Sequence, residues 1–376
     1  MGRETFTRTA YKRAAASFVP KKGPATAKAE QQARETGKLN PLVDPAGYGV
    51  IRRSLPRFEQ RGDGLWVLTV GTPVPNETRV DTTGSMGGNV DVAISVLPSA
   101  FELCSSVLLG CDLQVATGIF GDVCDRFVLC RPQFEMEAGK IVEQLTLMVP
   151  ERKGGDTPED PHYGLFGAAY LTAAYIAKIG LKGYDFTVSD APARDRLDER
   201  QLLRIFGDEV FAKVEENGQQ INSHDLPTTA DVVHDLLKIA HAFFLQVGDE
   251  EETEKFWKKV FGKDRVVILP GTELLPQVQA AIIGLTEGTL ELSDAEDFLR
   301  KGNVSKEDAK RIVRSVANIP IGAQAALPNF NKRPQKGDLF REKTDLWPIG
   351  QGELALAATG NSDDIGSKPG AGPEWL

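Results

Sequence analysis

Three short segments carry oxygen-bearing side chains at spacings suited to a hard cation. Residues 81–87 read Asp-Thr-Thr-Gly-Ser-Met-Gly, so Asp81, Thr83 and Ser85 fall at alternate positions ahead of a helical stretch. Their oxygens converge in one tight loop. Mg²⁺ demands oxygen ligands in octahedral geometry and keeps several waters, so hydroxyls can bind it directly while carboxylates hold its waters. Residues 154–160 read Gly-Gly-Asp-Thr-Pro-Glu-Asp and offer Thr157. Residues 186–192 read Phe-Thr-Val-Ser-Asp-Ala-Pro and place Asp190 at the end of an apolar run. Each segment alone also has a plainer reading. Ser85 could cap the helix that follows. Pro158, Glu159 and Asp160 suit a first helical turn, with Thr157 or Asp156 as its N-cap.

The elements that must position these residues follow from hydrophobic periodicity. Strands are expected at 65–70, 113–120, 127–130 (a short edge strand), 184–189, 242–247 and 265–269. Helices are expected at 89–109, kinked at Pro98, and at 137–148, 162–179, 197–216, 229–239, 250–261 and 274–285. Strands alternating with helices predict an α/β fold, a doubly wound, mostly parallel sheet flanked by helices. Ligands of such sheets bind at the carboxyl ends of the strands, where the strand order reverses. All three segments are expected at loops leading to or from helices.

Together the segments resemble the metal-ion-dependent adhesion site of the von Willebrand factor A (vWA) family. That pattern is Asp-x-Ser/Thr-x-Ser after the first strand, a Thr in a Gly-Gly-rich loop, and an Asp after a later strand. The variants here look like the intracellular bacterial branch of the family. The resemblance covers roughly residues 65–269. It implies a Rossmann-like vWA fold and Mg²⁺ or Mn²⁺ held by Asp81, Thr83, Ser85, Thr157 and Asp190. It also implies an open coordination position that a partner's Asp or Glu fills, without catalysis. By analogy with bacterial relatives, a MoxR-type AAA+ ATPase is a candidate co-acting protein. The alternative is a structural vWA component of a large assembly such as a virion or secreted particle. The sequence departs from the family in one place. The apolar run 66–70 stops early, and residues 71–79 intervene before Val80 and Asp81. Either the first strand is the short piece 78–80, or 71–79 is an insertion beside the site. Asp122 is a candidate supporting residue, or a simple turn residue.

Other chemistry fits poorly. A nucleophile elbow needs Gly two residues before Ser85, where Thr83 stands. An aspartyl-phosphate hydrolase needs a second Asp at that same position. His241, which opens an apolar strand, reads as a packing or capping residue. No phosphate-cradling or dinucleotide-binding glycine pattern occurs. Cys104, Cys111, Cys124 and Cys130 lack a Cys-x-x-Cys knuckle and read as buried, reduced thiols.

The net charge of −9 argues against nucleic acid and anionic membranes as main partners. The start of the chain lacks a secretory pattern. The longest apolar run with helical character, residues 163–177, is too short to span a bilayer. A cytoplasmic location is therefore expected. The expected organisation is a basic flexible arm at 1–40, the vWA domain at 41–270, a helical extension packed on it at 271–330, and an extended tail at 331–376.

Overall fold

The structure, a computed structural model, describes residues 26–46, 52–155 and 157–341. Most of the expected basic arm and tail, residues 1–25 and 342–376, lies outside the described residues, as does Asp156. In chain order the elements are α1 (Ala27–Thr36), β1 (Arg52–Ser54), β2 (Phe58–Gln60), β3 (Trp66–Leu68), β4 (Thr72–Asp81), α2 (Asn89–Val107), β5 (Cys111–Phe120), β6 (Leu129–Cys130), α3 (Ala138–Thr146), α4 (Pro161–Tyr170), β7 (Thr172–Ala174) and α5 (Tyr175–Lys178). Then come β8 (Gly183–Ser189), α6 (Glu199–Phe206), α7 (Val210–Glu216), α8 (Thr229–Ile239), β9 (Ala240–Gln246), α9 (Glu251–Phe261), β10 (Val266–Ile268), α10 (Leu275–Glu287), α11 (Leu292–Lys301), α12 (Lys306–Ser315) and β11 (Leu339–Phe340).

The main sheet has six strands in the order β10-β9-β8-β4-β5-β6. All pairings are parallel except the edge strand β6, which runs antiparallel to β5. The expected doubly wound, mostly parallel α/β fold is therefore the observed one. From β4 the chain crosses through α2 to β5 on one side, whereas β8, β9 and β10 build outward on the other. The order thus reverses between β4 and β8, and the crevice beyond their carboxyl ends is the place where such sheets bind ligands.

The start of the sheet differs from both sequence expectations. The run at 65–70 is not in the main sheet. Its core, β3, pairs with β2 and β11 in a separate three-stranded sheet. Residues 71–79 are not a looped-out insertion, nor is the first strand confined to 78–80. β4 runs unbroken from Thr72 to Asp81, buried throughout. Pro73 and Pro75 concealed this strand, because proline donates no ladder hydrogen bond and argues against a central position. The register explains the exception. β5 accompanies β4 along its whole length, but β8 joins only from Asn76 onward. The prolines thus lie where β4 has a single neighbour in this sheet.

Two expected helices are each two elements. Residues 162–179 divide into α4, the strand β7 paired with β1, and the short α5. Thr172 makes the break: its hydroxyl donates to the Gly167 carbonyl at 3.1 Å and accepts from Arg131 at 2.8 Å. The helix at 197–216 ends at Gly207, whose φ of 83° suits glycine, and resumes as α7. The cysteines are all free, but only Cys104 and Cys130 are buried, and Cys124 is exposed.

The two faces of the sheet are different in kind. Val74, Val80, Phe186 and Val188 join a core with α2 and α10 that also takes in Leu299, Ala309 and Ile312 of the last helices. Packing against this core accounts for the apolarity of α2, which is by length and composition long enough for a membrane span. It is longer than the apolar run singled out at 163–177. On the opposite face, alternation along the strands sets Glu77, Arg79 and Asp81 of β4 beside Asp185, Thr187 and Ser189 of β8. All six are buried. Arg79 donates to Asp185 Oδ2 at 2.8 Å and lies 3.3 Å from Glu77. Arg131 grips both oxygens of Glu77 at 2.6 Å. Helix α4 closes over these ions on its glycines. A Cβ on Gly164 would stand 2.5 Å from Arg79 Cδ, and one on Gly167 would stand 3.0 Å from Arg131 Nη1.

Candidate metal centre

The polar row of the sheet ends at its carboxyl edge in a chain of oxygens. Asp81, the last residue of β4, accepts from the Thr83 N–H at 2.8 Å and from Thr83 Oγ1 at 2.7 Å. Thr83 Oγ1 lies 3.2 Å from Ser85 Oγ. Ser85 Oγ donates to Asp190 Oδ1 at 2.9 Å. The other Asp81 oxygen accepts from Ser189 Oγ at 2.5 Å. Four of the five sequence candidates are thus linked in one run across the β4–β8 crevice. Asp81 and Thr83 are its buried floor, while Ser85 is exposed and Asp190 half-buried.

Each residue is held from behind. The turn after Thr83 is a short 3-10 helix, Gly84–Met86, anchored by the buried Met86. α2 starts at Asn89, whose side chain accepts from Thr272 Oγ1 at 2.8 Å. α9 fixes the strand end on the other side: Thr253 donates to the Asp190 carbonyl at 3.2 Å and the buried Trp257 to the Ala191 carbonyl at 2.9 Å.

The fifth candidate, Thr157, is exposed on the loop that lies over this run. The Gly84 N–H donates to the Lys153 carbonyl, and the Gly155 N–H to Asp122 Oδ2 at 3.4 Å. Gly154 turns the loop here at a φ of 125°, which suits glycine, and a Cβ on it would lie 3.4 Å from Thr83 Cβ, in ordinary contact. The segment is not the first turn of a helix. α4 begins at Pro161, with Asp160 before it. Glu159 instead bridges Ala193, through its N–H to the Pro192 carbonyl at 2.9 Å and its carbonyl to the Arg194 N–H at 3.1 Å. Asp122 is both a turn residue and a support. Its Oδ1 accepts from the Cys124 N–H at 2.9 Å while Oδ2 holds Gly155.

Electrostatics set this edge apart. Burial, with the Asp190 charge adding to it, pushes the Asp81 carboxyl up to about 6, against the hydrogen bonds from Ser189 and Thr83. Burial also raises Asp190. Glu159 is pushed up to about 8 by burial and by the charges of Asp81 and Asp122, against a hydrogen bond with Thr83. Burial acts the same way on Asp122, but the backbone N–H groups of Cys124 and Gly155 and the Arg194 charge outweigh it and hold that carboxyl low.

The residues fit a small hard cation by donor type, being hydroxyls and carboxylates alone. In an octahedron with metal–oxygen distances near 2.1 Å, adjacent oxygens are about 3.0 Å apart. The consecutive separations here, 2.7, 3.2 and 2.9 Å, are those of a hydrogen-bonded run, and they leave the oxygens close enough to share one ion. Among the described residues no three His, Cys, Asp or Glu side chains gather as a metal cluster, so the arrangement depends on its hydroxyls. A hydroxyl-rich oxygen set favours Mg²⁺ or Mn²⁺ over zinc. Sequence reading missed Ser189 and Glu159. The first had a signal, since it is the strand residue that faces the same side as Asp81. The second was hidden by its fit to a helix start.

No family model matches the chain, and no curated protein matches it. Solved structures do. Over 63% of its length the chain is similar to a von Willebrand factor type A protein from Catenulispora acidiphila, with 13% identity, a TM-score of 0.32 and 48% of that chain covered. Over 58% of its length it is similar to the pilus adhesin SpaC from Lactobacillus rhamnosus GG in its open conformation, with 13% identity, a TM-score of 0.36 and 31% of that chain covered. The chain therefore spans less than half of either protein. The fold assignment rests on the strand order and register given above.

Proposed function

We propose that the chain is a vWA-type protein-interaction domain, in which Asp81, Thr83, Ser85, Thr157 and Asp190 hold Mg²⁺ or Mn²⁺ and a partner's Asp or Glu completes the coordination. The observation that carries this reading is the oxygen run from Asp81 to Asp190 across the strand-order reversal, with one solvent-facing side. Thr83 and Ser85 would bind the ion directly, and Asp81 and Asp190 would anchor it or its waters. The bound ion supplies the positive charge that draws a carboxylate to an otherwise acidic edge. This reading assigns binding rather than catalysis to the site, and it is supported by the bonds of Ser85 Oγ, which among the described residues run to Asp190 and Thr83. A MoxR-type AAA+ ATPase in the cytoplasm is a partner in keeping with the sequence resemblance.

Two measurements test this. Calorimetric titration with Mn²⁺ should give one saturable site, lost in Asp81→Ala/Ser85→Ala. Partners retained from a lysate in Mg²⁺ should be released by EDTA and not captured by the double variant. Equal retention in Mg²⁺ and EDTA would place the interaction surface elsewhere.

A further inference from the structure

Glu159 is buried to 4% exposure, and its Oε2 has no hydrogen-bond partner among the described residues. A buried carboxylate oxygen left unpaired is costly and calls for a counter-charge or a donor. Its position is not adjustable. The backbone bonds to Pro192 and Arg194 fix residue 159 to the segment just beyond Asp190. The Thr83 hydroxyl, which donates to Asp81, is among the groups that act on the Glu159 carboxyl. Its Oε1 lies 3.8 Å from the point where a Cβ on Gly154 would be, so it sits under the Gly-Gly loop beside the oxygen run. Basic residues are engaged elsewhere: Arg194 bonds Asp160 at 3.0 Å and Asp122 at 3.4 Å.

We propose that Glu159 is a further member of the metal centre, its unpartnered Oε2 accepting a hydrogen bond from an ion-bound water. This rests on the reading of Asp81, Thr83, Ser85 and Asp190 as an ion site. It adds to the strand-end residues a group delivered by the loop segment, one that acts through water and not as a third carboxylate ligand. The centre then draws on three chain segments.

The test is Mn²⁺ titration of the full chain, without any partner, read by calorimetry and by the signal of free Mn²⁺. Groups that orient metal ligands or their waters are typically worth 10–100-fold in metal affinity. Glu159→Gln, which preserves shape but cannot become anionic, should weaken Mn²⁺ binding by about tenfold or more. Glu159→Ala should do the same. Melting in EDTA, unchanged or raised in both variants, separates this from misfolding. Affinity within twofold of the wild type in both variants overturns the proposal. The parent reading fails separately, if Asp81→Asn binds Mn²⁺ as the wild type does.

Discussion

One face of β4 carries two clusters of charge a single alternation apart, and they are built on opposite plans. Lower in the strand, Glu77 and Asp185 are matched by Arg131 and Arg79, with two-pronged bonds and complete burial. At the strand end, Asp81, Glu159 and Asp190 face hydroxyls and one another, and among the described residues no ion pair joins any of the three to a basic side chain. The lower cluster is sealed under the glycines of α4, whereas the upper one opens to solvent at Ser85. Internal counter-charges make the first a structural element. The second has no basic partner among the described residues, in keeping with the ion proposed for it.

The largest expected effect breaks the lower cluster. Arg79→Met strands Asp185 in the interior, and removing one partner of a buried pair costs about 3–5 kcal/mol. Urea unfolding at neutral pH should show that loss, and Mn²⁺ should not restore it selectively. A loss under about 1 kcal/mol, the level of an exposed pair, would mean that the quartet is not held as described.

A third mode of burial, that of a neutral base, calibrates the other two. His241 near the start of β9 is buried against the Tyr184 ring at 5.5 Å and bonded to Gln324 at 2.9 Å. Burial, with the Arg265 and Lys182 charges adding to it, lowers its pKa to about 4 against that bond. The unfolded chain protonates this histidine near pH 6.5 while the folded one does not. Its contribution is therefore intact above about pH 6.5 and lost as pH falls toward about 4, by up to about 3 kcal/mol. His241→Gln should flatten the stability–pH curve across that window. A curve parallel to the wild type would show that the histidine is not buried in the neutral form.

At the strand end the expected effect depends on the ion. An ion that binds only the folded state at a hundred times its Kd stabilises by about 2.7 kcal/mol. Mn²⁺ should raise the melting temperature of the wild type accordingly and raise that of Ser85→Ala less. No shift at saturating Mn²⁺ would remove the contrast between the two clusters.

The upper cluster was legible in the sequence and the lower one was not. Asp81, Thr83 and Ser85 follow one another at two-residue spacing, so residue type and order carry their geometry, and Asp190, 105 residues beyond Ser85, was readable as the acidic residue that ends an apolar strand. Glu77, Arg79, Arg131 and Asp185 come from distant parts of the chain, and only strand register and the glycines of α4 bring them together. Polar residues at 76–79 and prolines at 73 and 75 disguised the strand that hosts both clusters, because strand patterns are read from apolar alternation. Thr172 likewise broke a run that composition alone would continue as helix. Glu159 was misread for the converse reason. Pro-Glu-Asp satisfies the local rules for a helix start, and the long-range bridge to Ala193 prevails over them.

The smallest effect is the one with the most informative sign. Asp81→Asn keeps an oxygen to accept from the Thr83 N–H and hydroxyl, and its amide can donate to Ser189 Oγ in place of the present bond. What it removes is a buried negative charge beside Asp190. In EDTA the variant should therefore be more stable than the wild type, by roughly 1 kcal/mol, the usual scale of a single substitution. In saturating Mn²⁺ the order should reverse, since the wild type gains binding energy that the variant cannot. At the lower cluster no ion can produce such a reversal, because Asp185 already has Arg79. Paired urea titrations of both proteins, with and without Mn²⁺, read the crossing directly. If Asp81→Asn is less stable in EDTA as well, the hydrogen bonds to Asp81 already compensate its charge. The two clusters of β4 would then differ in exposure alone, not in their need for a cation.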